Sequence, residues 1–152
     1  WIPRPDLQRI LYNKAQGMVT IYPYGDPELG MWPPLSNTEL KRILDFPKVE
    51  SVEFRRVPIT RCQLSTLASK HKLKSLSFSY CGIGDSVATV ASSIPQLEYL
   101  NLSGTHISDH TLQRLSGHPA LQHLVVEDVK TITGESVKEF QARTPNCRYE
   151  GQ

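Results

Sequence analysis

Residues 97–115 read LEYLNLSGTHISDHTLQRL, and this stretch decides the fold. Leu97, Leu100 and Leu102 set a Leu-x-x-Leu-x-Leu frame, Ile107 adds a further apolar mark after a short loop, and Leu112 and Leu115 lie one helical turn apart. Alternation about Leu100 and Leu102 fits a strand, in which neighbouring side chains point to opposite faces. The spacing of Leu112 and Leu115 instead fits one face of a helix. One strand, one loop and one short helix therefore follow each other within about two dozen residues, the scale of a structural repeat.

Working outward, the same frame returns as Val49-x-x-Val52-x-Phe54, Leu73-x-x-Leu76-x-Phe78 and Leu121-x-x-Leu124-x-Val126, with successive units starting 24 residues apart. A fixed period of this size is the mark of a stacked solenoid. The second apolar position recurs at Ile59, Ile83, Ile107 and Ile132, the last displaced by one inserted residue. Polar residues suited to helix N-caps follow at Thr60, Asp85, Asp109 and Thr133. Helical pairs come next, Leu64/Leu67, Val87/Ala91, Leu112/Leu115 and Val137/Phe140, and Pro95, Pro119 and Pro145 end three of the helices. One unit cannot bury its apolar face, but a stack of units buries a continuous core. The expected fold is α/β: a right-handed coil of strand-loop-helix units with a parallel sheet on its concave face.

Residues 1–35 do not follow the period. Leu7, Ile10 and Leu11 predict a short helix ended by Gly17, and Met18–Tyr22 alternates as a strand. A loop rich in Gly and Pro then carries Tyr24, Met31 and Trp32, which with Tyr22 suit a lid over the first unit. Ser36 with Glu39 forms a capping box in front of Leu40, Ile43 and Leu44. The division that follows is a helix-strand-loop cap over 1–35, repeats over 36–145, and a terminal cap strand or tail over 146–152, all within one compact domain. Open solenoid ends require such covers.

The chain of 152 residues carries a net charge of +2, far from the field of a dedicated nucleic-acid binder. Cys62, Cys81 and Cys147 form no CxxC pair, and an odd count leaves a thiol free unless it pairs with another chain, which leans towards a reducing intracellular or organellar compartment. No apolar run reaches membrane-span length. The first residue is Trp1, so the chain reads as a processed form, an ordered fragment or a segment of something longer.

On Leu73, Leu76, Phe78, Cys81 and Ile83, and on Leu97, Leu100, Leu102, Thr105 and Ile107, the chain resembles the leucine-rich repeat family. GTHISDHTLQRL and EFQARTPNCRYEG are similar to bacterial leucine-rich repeat proteins of the planctomycete type, and the layout is similar to mitochondrial factor B-like assembly proteins. The resemblance implies protein–protein recognition, and a structural role for Cys81 and Thr105 at the inward position of each turn. Val57 and Val129 depart from that position in the first and last units.

The candidate surface is the ribbon of outward strand positions: Ser51, Glu53 and Arg55; Ser75, Ser77 and Ser79; Tyr99, Asn101 and Ser103; His123, Val125 and Glu127. Small serines leave room for an approaching ligand, while Tyr99, His123 and Arg55 are anchor types. Arg55 and Glu127 fall in one column, roughly 15 Å apart at the usual strand spacing, where they would orient a charged partner. Arg55, Arg56, Arg61, Lys70, His71, Lys72 and Lys74 concentrate positive charge, and only this flank offers a route to phosphate or a membrane surface. No aromatic residues interleave with it, as a single-strand nucleic-acid binder requires. His106, His110, His118 and His123 with Asp109 fall on diverging parts of the repeat, so no metal is expected. Gly82-Ile83-Gly84-Asp85 lacks the third glycine of a dinucleotide fingerprint, and no nucleophile elbow, phosphate loop or HExxH occurs. The reading is a non-enzymatic adaptor, scaffold or assembly subunit without cofactor, binding another protein as a monomer or as part of a hetero-complex. The alternative is a structural segment of a larger assembly whose activity lies elsewhere.

Overall fold

The computed structural model describes residues 8–23, 35–46, 48–70 and 72–151. Among these residues seven strands form one sheet: β1 (Gln8–Asn13), β2 (Met18–Pro23), β3 (Ser51–Arg55), β4 (Ser75–Ser79), β5 (Tyr99–Asn101), β6 (His123–Val126) and β7 (Arg148–Gly151). Their spatial order is their chain order. β1 and β2 are antiparallel, and every later neighbour is parallel. The returning segments are helices α1 (Asn37–Leu44), α2 (Arg61–Ala68), α3 (Ser86–Ser92), α4 (Asp109–Leu115) and α5 (Gly134–Arg143), each packed on the next.

The sequence period becomes spatial register. Val52 pairs with Leu76, Leu76 with Leu100, and Leu100 with Leu124, so the apolar residues of consecutive units stack in columns. All four are fully buried, as are Phe54 and Phe78, whose rings stack 5.4 Å apart at 3°. Leu40, Leu67, Ala91, Leu112 and Phe140 close the core from the helical side. The other strand positions therefore lie on the open face of the sheet.

Two ladders of backbone hydrogen bonds extend the pairing beyond the strands. Where strands begin, the amides of Lys74, Glu98, Gln122 and Arg148 donate to the carbonyls of Glu50, Lys74, Glu98 and Gln122 at 2.7–2.8 Å. Where they end, the amides of Arg56, Tyr80 and Gly104 donate to Ser79, Ser103 and Glu127 at 2.8–2.9 Å. Arg56, Tyr80, Gly104 and Asp128, one per unit, all take left-handed φ values of 55–64°.

The N-terminal segment differs from the sequence expectation. Residues Gln8–Asn13 are a strand, not part of a helix, and they form a hairpin with β2. Apolar residues at 7, 10 and 11 fit either structure, and the tie is broken by pairing with β2, in register from Gln8 with Pro23 to Asn13 with Met18. Asn13 makes the turn by accepting hydrogen bonds from the amides of Ala15 and Gln16, and Gly17 takes φ 59°. The lid expected from Tyr22, Tyr24, Met31 and Trp32 lies outside the described residues, except for the backbone of Tyr22 in β2. At the other end β7 adds a strand beside β6.

Helix starts follow the predicted caps with two departures. Ser36 with Glu39 and Thr60 with Gln63 form complete capping boxes. Thr133 caps α5 through the amide of Ser136. Asp85 occupies the cap position of α3 without capping it, and Ser108 caps α4, which places Asp109 inside that helix.

Candidate protein-binding surface

Register arranges the predicted ribbon into columns. Ser51, Ser75, Tyr99 and His123 form the first, continued by Met18 and Arg148. Glu53, Ser77, Asn101 and Val125 form the second, continued by Thr20 and Glu150. Arg55 and Ser79 begin the third, and Ser103 and Glu127 carry it on through the bond from the Glu127 amide to the Ser103 hydroxyl at 3.2 Å. All twelve positions share the face opposite the helices.

They do not contribute equally. Ser77, Ser79, Ser103 and Val125 are buried and make the floor. The Ser77 and Ser79 hydroxyls bond each other at 3.1 Å, and the Ser103 amide donates to the Asn101 side chain. Half-buried Tyr99 and exposed His123 stand side by side with rings 6.4 Å apart. Arg55 turns along its own strand to Glu53 at 3.1 Å, and Glu53 also accepts from the Thr20 hydroxyl. The guanidinium is therefore directed at Glu53, whereas the sequence pairs its column with Glu127. Arg148 and Glu150 form a further ion pair at 2.8 Å on the last strand. Each end of the face thus carries an ion pair, and the face positions of β4 and β5 between them carry no charged side chain.

The basic flank divides in space. Arg55, Arg56 and Arg61 lie where β3 ends and α2 starts, whereas Lys70, Lys72 and Lys74 lie where β4 begins. Five extended residues separate the two edges, about 17 Å. A sequence cluster becomes two patches because the chain crosses the whole repeat between them.

Along the strand-end edge runs a strap that the frame of leucines does not reveal. Tyr80 is 47% exposed, and its ring lies under the Arg56 guanidinium, 5.5 Å from the centroid. The ring then crosses Gly104, where a Cβ would meet it at 2.3 Å, and its hydroxyl donates to Asp128 at 2.5 Å. That bond, with the negative charge of Asp128, raises the Tyr80 pKa above the ordinary phenol value. The signal was present as a column at residues 56, 80, 104 and 128, but only the left-handed backbone gives it meaning.

Two aspartates link consecutive units. Asp85 accepts from the Ser108 amide and hydroxyl and from the Thr111 hydroxyl at 2.6–2.7 Å. Asp109 repeats the arrangement on Thr133 and Ser136 at 2.6–2.8 Å. Burial pushes the Asp85 carboxyl up, but the bonds from Thr111 and Ser108 outweigh it and leave it below the usual carboxylate range. The Ser136 and Thr133 bonds lower Asp109 likewise.

Cys81 is buried and its thiol donates to the Phe54 carbonyl at 3.5 Å; burial raises its pKa to about 11, away from thiolate chemistry. Thr105 donates to the Leu102 carbonyl at 2.5 Å. Val57, in the equivalent place of the first unit, is buried and fills the turn by packing. Among the described residues no three metal-ligating side chains converge. His118 instead accepts from the amides of Ala120 and Leu121 through Nδ1, which leaves Nε2–H facing the Ile94 carbonyl at 3.2 Å. Within the described residues no helix is long and apolar enough to cross a membrane.

A family profile described as Leucine Rich repeat matches residues 69–86. Among solved structures, the actin-binding site 2 segment of leiomodin-1 aligns with a TM-score of 0.61 at 16% identity, covering 78% of this chain and 80% of that one. No curated protein matches the sequence.

Proposed function

We propose that this chain, a leucine-rich repeat solenoid, is a non-enzymatic interaction module that binds another protein across the open face of its sheet. The observation that carries the reading is the in-register ribbon, where Tyr99 and His123 stand beside a floor of buried serines. Aromatic anchors next to a low floor suit a partner that inserts side chains, and strands paired on both sides hold the anchors' backbone in place before binding. Ser51, Glu53, Arg55, Ser75, Asn101 and Glu127 surround them and set the polar contacts. The domain division of the sequence fits this role, with repeats over 36–145 carrying the face and the two ends closing it.

The test is retention of a partner from native extract on three immobilised proteins. The parent chain and a helix-side control, Gln113→Ala with Glu139→Ala, should hold the same protein, and Tyr99→Ala with His123→Ala should release it. Equal retention by all three moves the interface off the open face. Because the structural neighbour is named for an actin-binding site, actin is the first purified protein to add, by co-sedimentation with the same set.

A further inference from the structure

A second surface lies on the edge where the parallel strands begin. There the β1–β2 turn and the segments that follow α1 and α2 enclose a cleft of about 970 Å³. Lys14, Lys48, Lys70 and Lys72 line it with a single carboxylate, Glu50, together with apolar surface that includes Phe46 and Val49. The hairpin is locked against this cleft. The Gly17 carbonyl accepts from the amides of Glu50 and Ser51 at 3.0 and 3.2 Å. A Cβ at Gly17 would stand 2.2 Å from the Lys48 carbonyl. Lys48 itself is held at φ 66°, a conformation that side-chain-bearing residues rarely adopt.

Charge in the cleft is not balanced from within. Asp45 binds Lys70 at 3.0 Å, and Glu50 binds Lys74 at 2.9 Å. Lys14, Lys48 and Lys72 have no ion pair or side-chain hydrogen bond among the described residues. Three uncompensated like charges around one concavity focus a positive field that attracts an anionic ligand.

We propose that this cleft binds an acidic, partly apolar peptide segment of a partner protein. Its volume is at the upper end of ordinary ligand sites, far more than a single phosphate fills. No arginine fork lines it, as tight phosphate capture would favour. The apolar lining favours a ligand with side chains to bury over one that is only charged. A flat anionic bilayer is disfavoured, because the lysines line a concavity that a planar surface does not enter. This surface is separate from the open face, so the inference goes beyond the function proposed above. The sequence grouped Lys70 and Lys72 with the arginines of the opposite edge and missed Lys14 and Lys48, which the hairpin and the α1–β3 connection bring in.

The test is fluorescence anisotropy of a labelled peptide of alternating Glu and Leu titrated with the full chain. A Gln-Leu peptide serves as neutral control, and phosphatidylcholine vesicles with and without phosphatidylserine serve as the membrane arm. The acidic peptide should bind, the neutral one should bind far less, and added salt should weaken the complex. Lys14→Glu with Lys48→Glu and Lys72→Glu should weaken binding about tenfold or more. Lys72→Gln alone, with an unchanged melting temperature, should lose part of the affinity and so keeps the test decisive if the triple variant fails to fold. Tyr99→Ala with His123→Ala should bind the peptide normally, which separates this site from the open face. Equal binding of acidic and neutral peptides, full affinity in a folded Lys72→Gln protein, or pelleting with phosphatidylserine vesicles in place of peptide binding would overturn the proposal.

Discussion

Gly104 combines two constraints, a left-handed φ of 64° and the Tyr80 ring occupying the space of a side chain. Gly104→Ala should therefore cost about 1–3 kcal/mol, read as a lower urea midpoint with an unchanged slope. Part of that loss comes from displacing Tyr80, so Tyr80→Ala should cost less in the Gly104→Ala background than in the parent chain. Asp85 makes a different prediction, because its three bonds favour the ionised form. A carboxyl whose folded pKa is depressed contributes stability above its unfolded value, about 3.9, and loses it as pH falls through the folded pKa. Asp85→Asn should cost about 1.5–3 kcal/mol at neutral pH, the scale of hydrogen bonds to a charged group. Denaturation from pH 7 downward checks the sign: the two proteins should converge in acid, and a gap that stays constant would mean the charge is irrelevant. Neither residue's role was legible in the sequence. Left-handed backbone has no residue signature when Arg and Tyr adopt it, and an aspartate before a helix reads as that helix's own cap.

Strands and helices were legible because burial selects residues at the period of each element. Val52, Phe54, Leu76 and Phe78 alternate, and the leucines of α2 and α4 recur one turn apart. The caps at Ser36, Thr60 and Thr133 were legible for the same local reason. Thr60→Ala should cost about 1 kcal/mol, since the hydroxyl of Thr60 and the side chain of Gln63 each satisfy an amide at the start of α2. Thermal unfolding of Thr60→Ser, which keeps the hydroxyl, supplies the control and should fall close to the parent. The hairpin β1–β2 was not legible, because Ile10 and Leu11 carry no period that separates helix from strand. Pairing with β2 decided it, and that pairing lies outside the segment's own period. The candidate face was legible as a set of positions but not as a surface. Which serines sink into the floor, and where Arg55 turns, depend on neighbours in other units.

At the scale of the molecule, every strand from β2 to β6 is flanked on both sides, while β1 and β7 have one neighbour each. Amide exchange should therefore be slowest in β4 and β5 and fastest in β1 and β7. Equal protection across the sheet would indicate that the array opens only as a whole. The sharp repeat also makes the molecule easy to extend in principle, since duplicating 24 residues keeps strands, turns and ladders in phase. Tyr80 limits where this can happen. Its hydroxyl reaches Asp128, 48 residues ahead, by lying across a glycine that has no side chain to obstruct it. A coil inserted between those two residues would carry the aspartate out of reach, whereas one added before β4 would leave the span intact. Evolution by duplication is thus penalised between that tyrosine and its aspartate and free on either side of the pair, and a single side chain keeps count of the coils it spans.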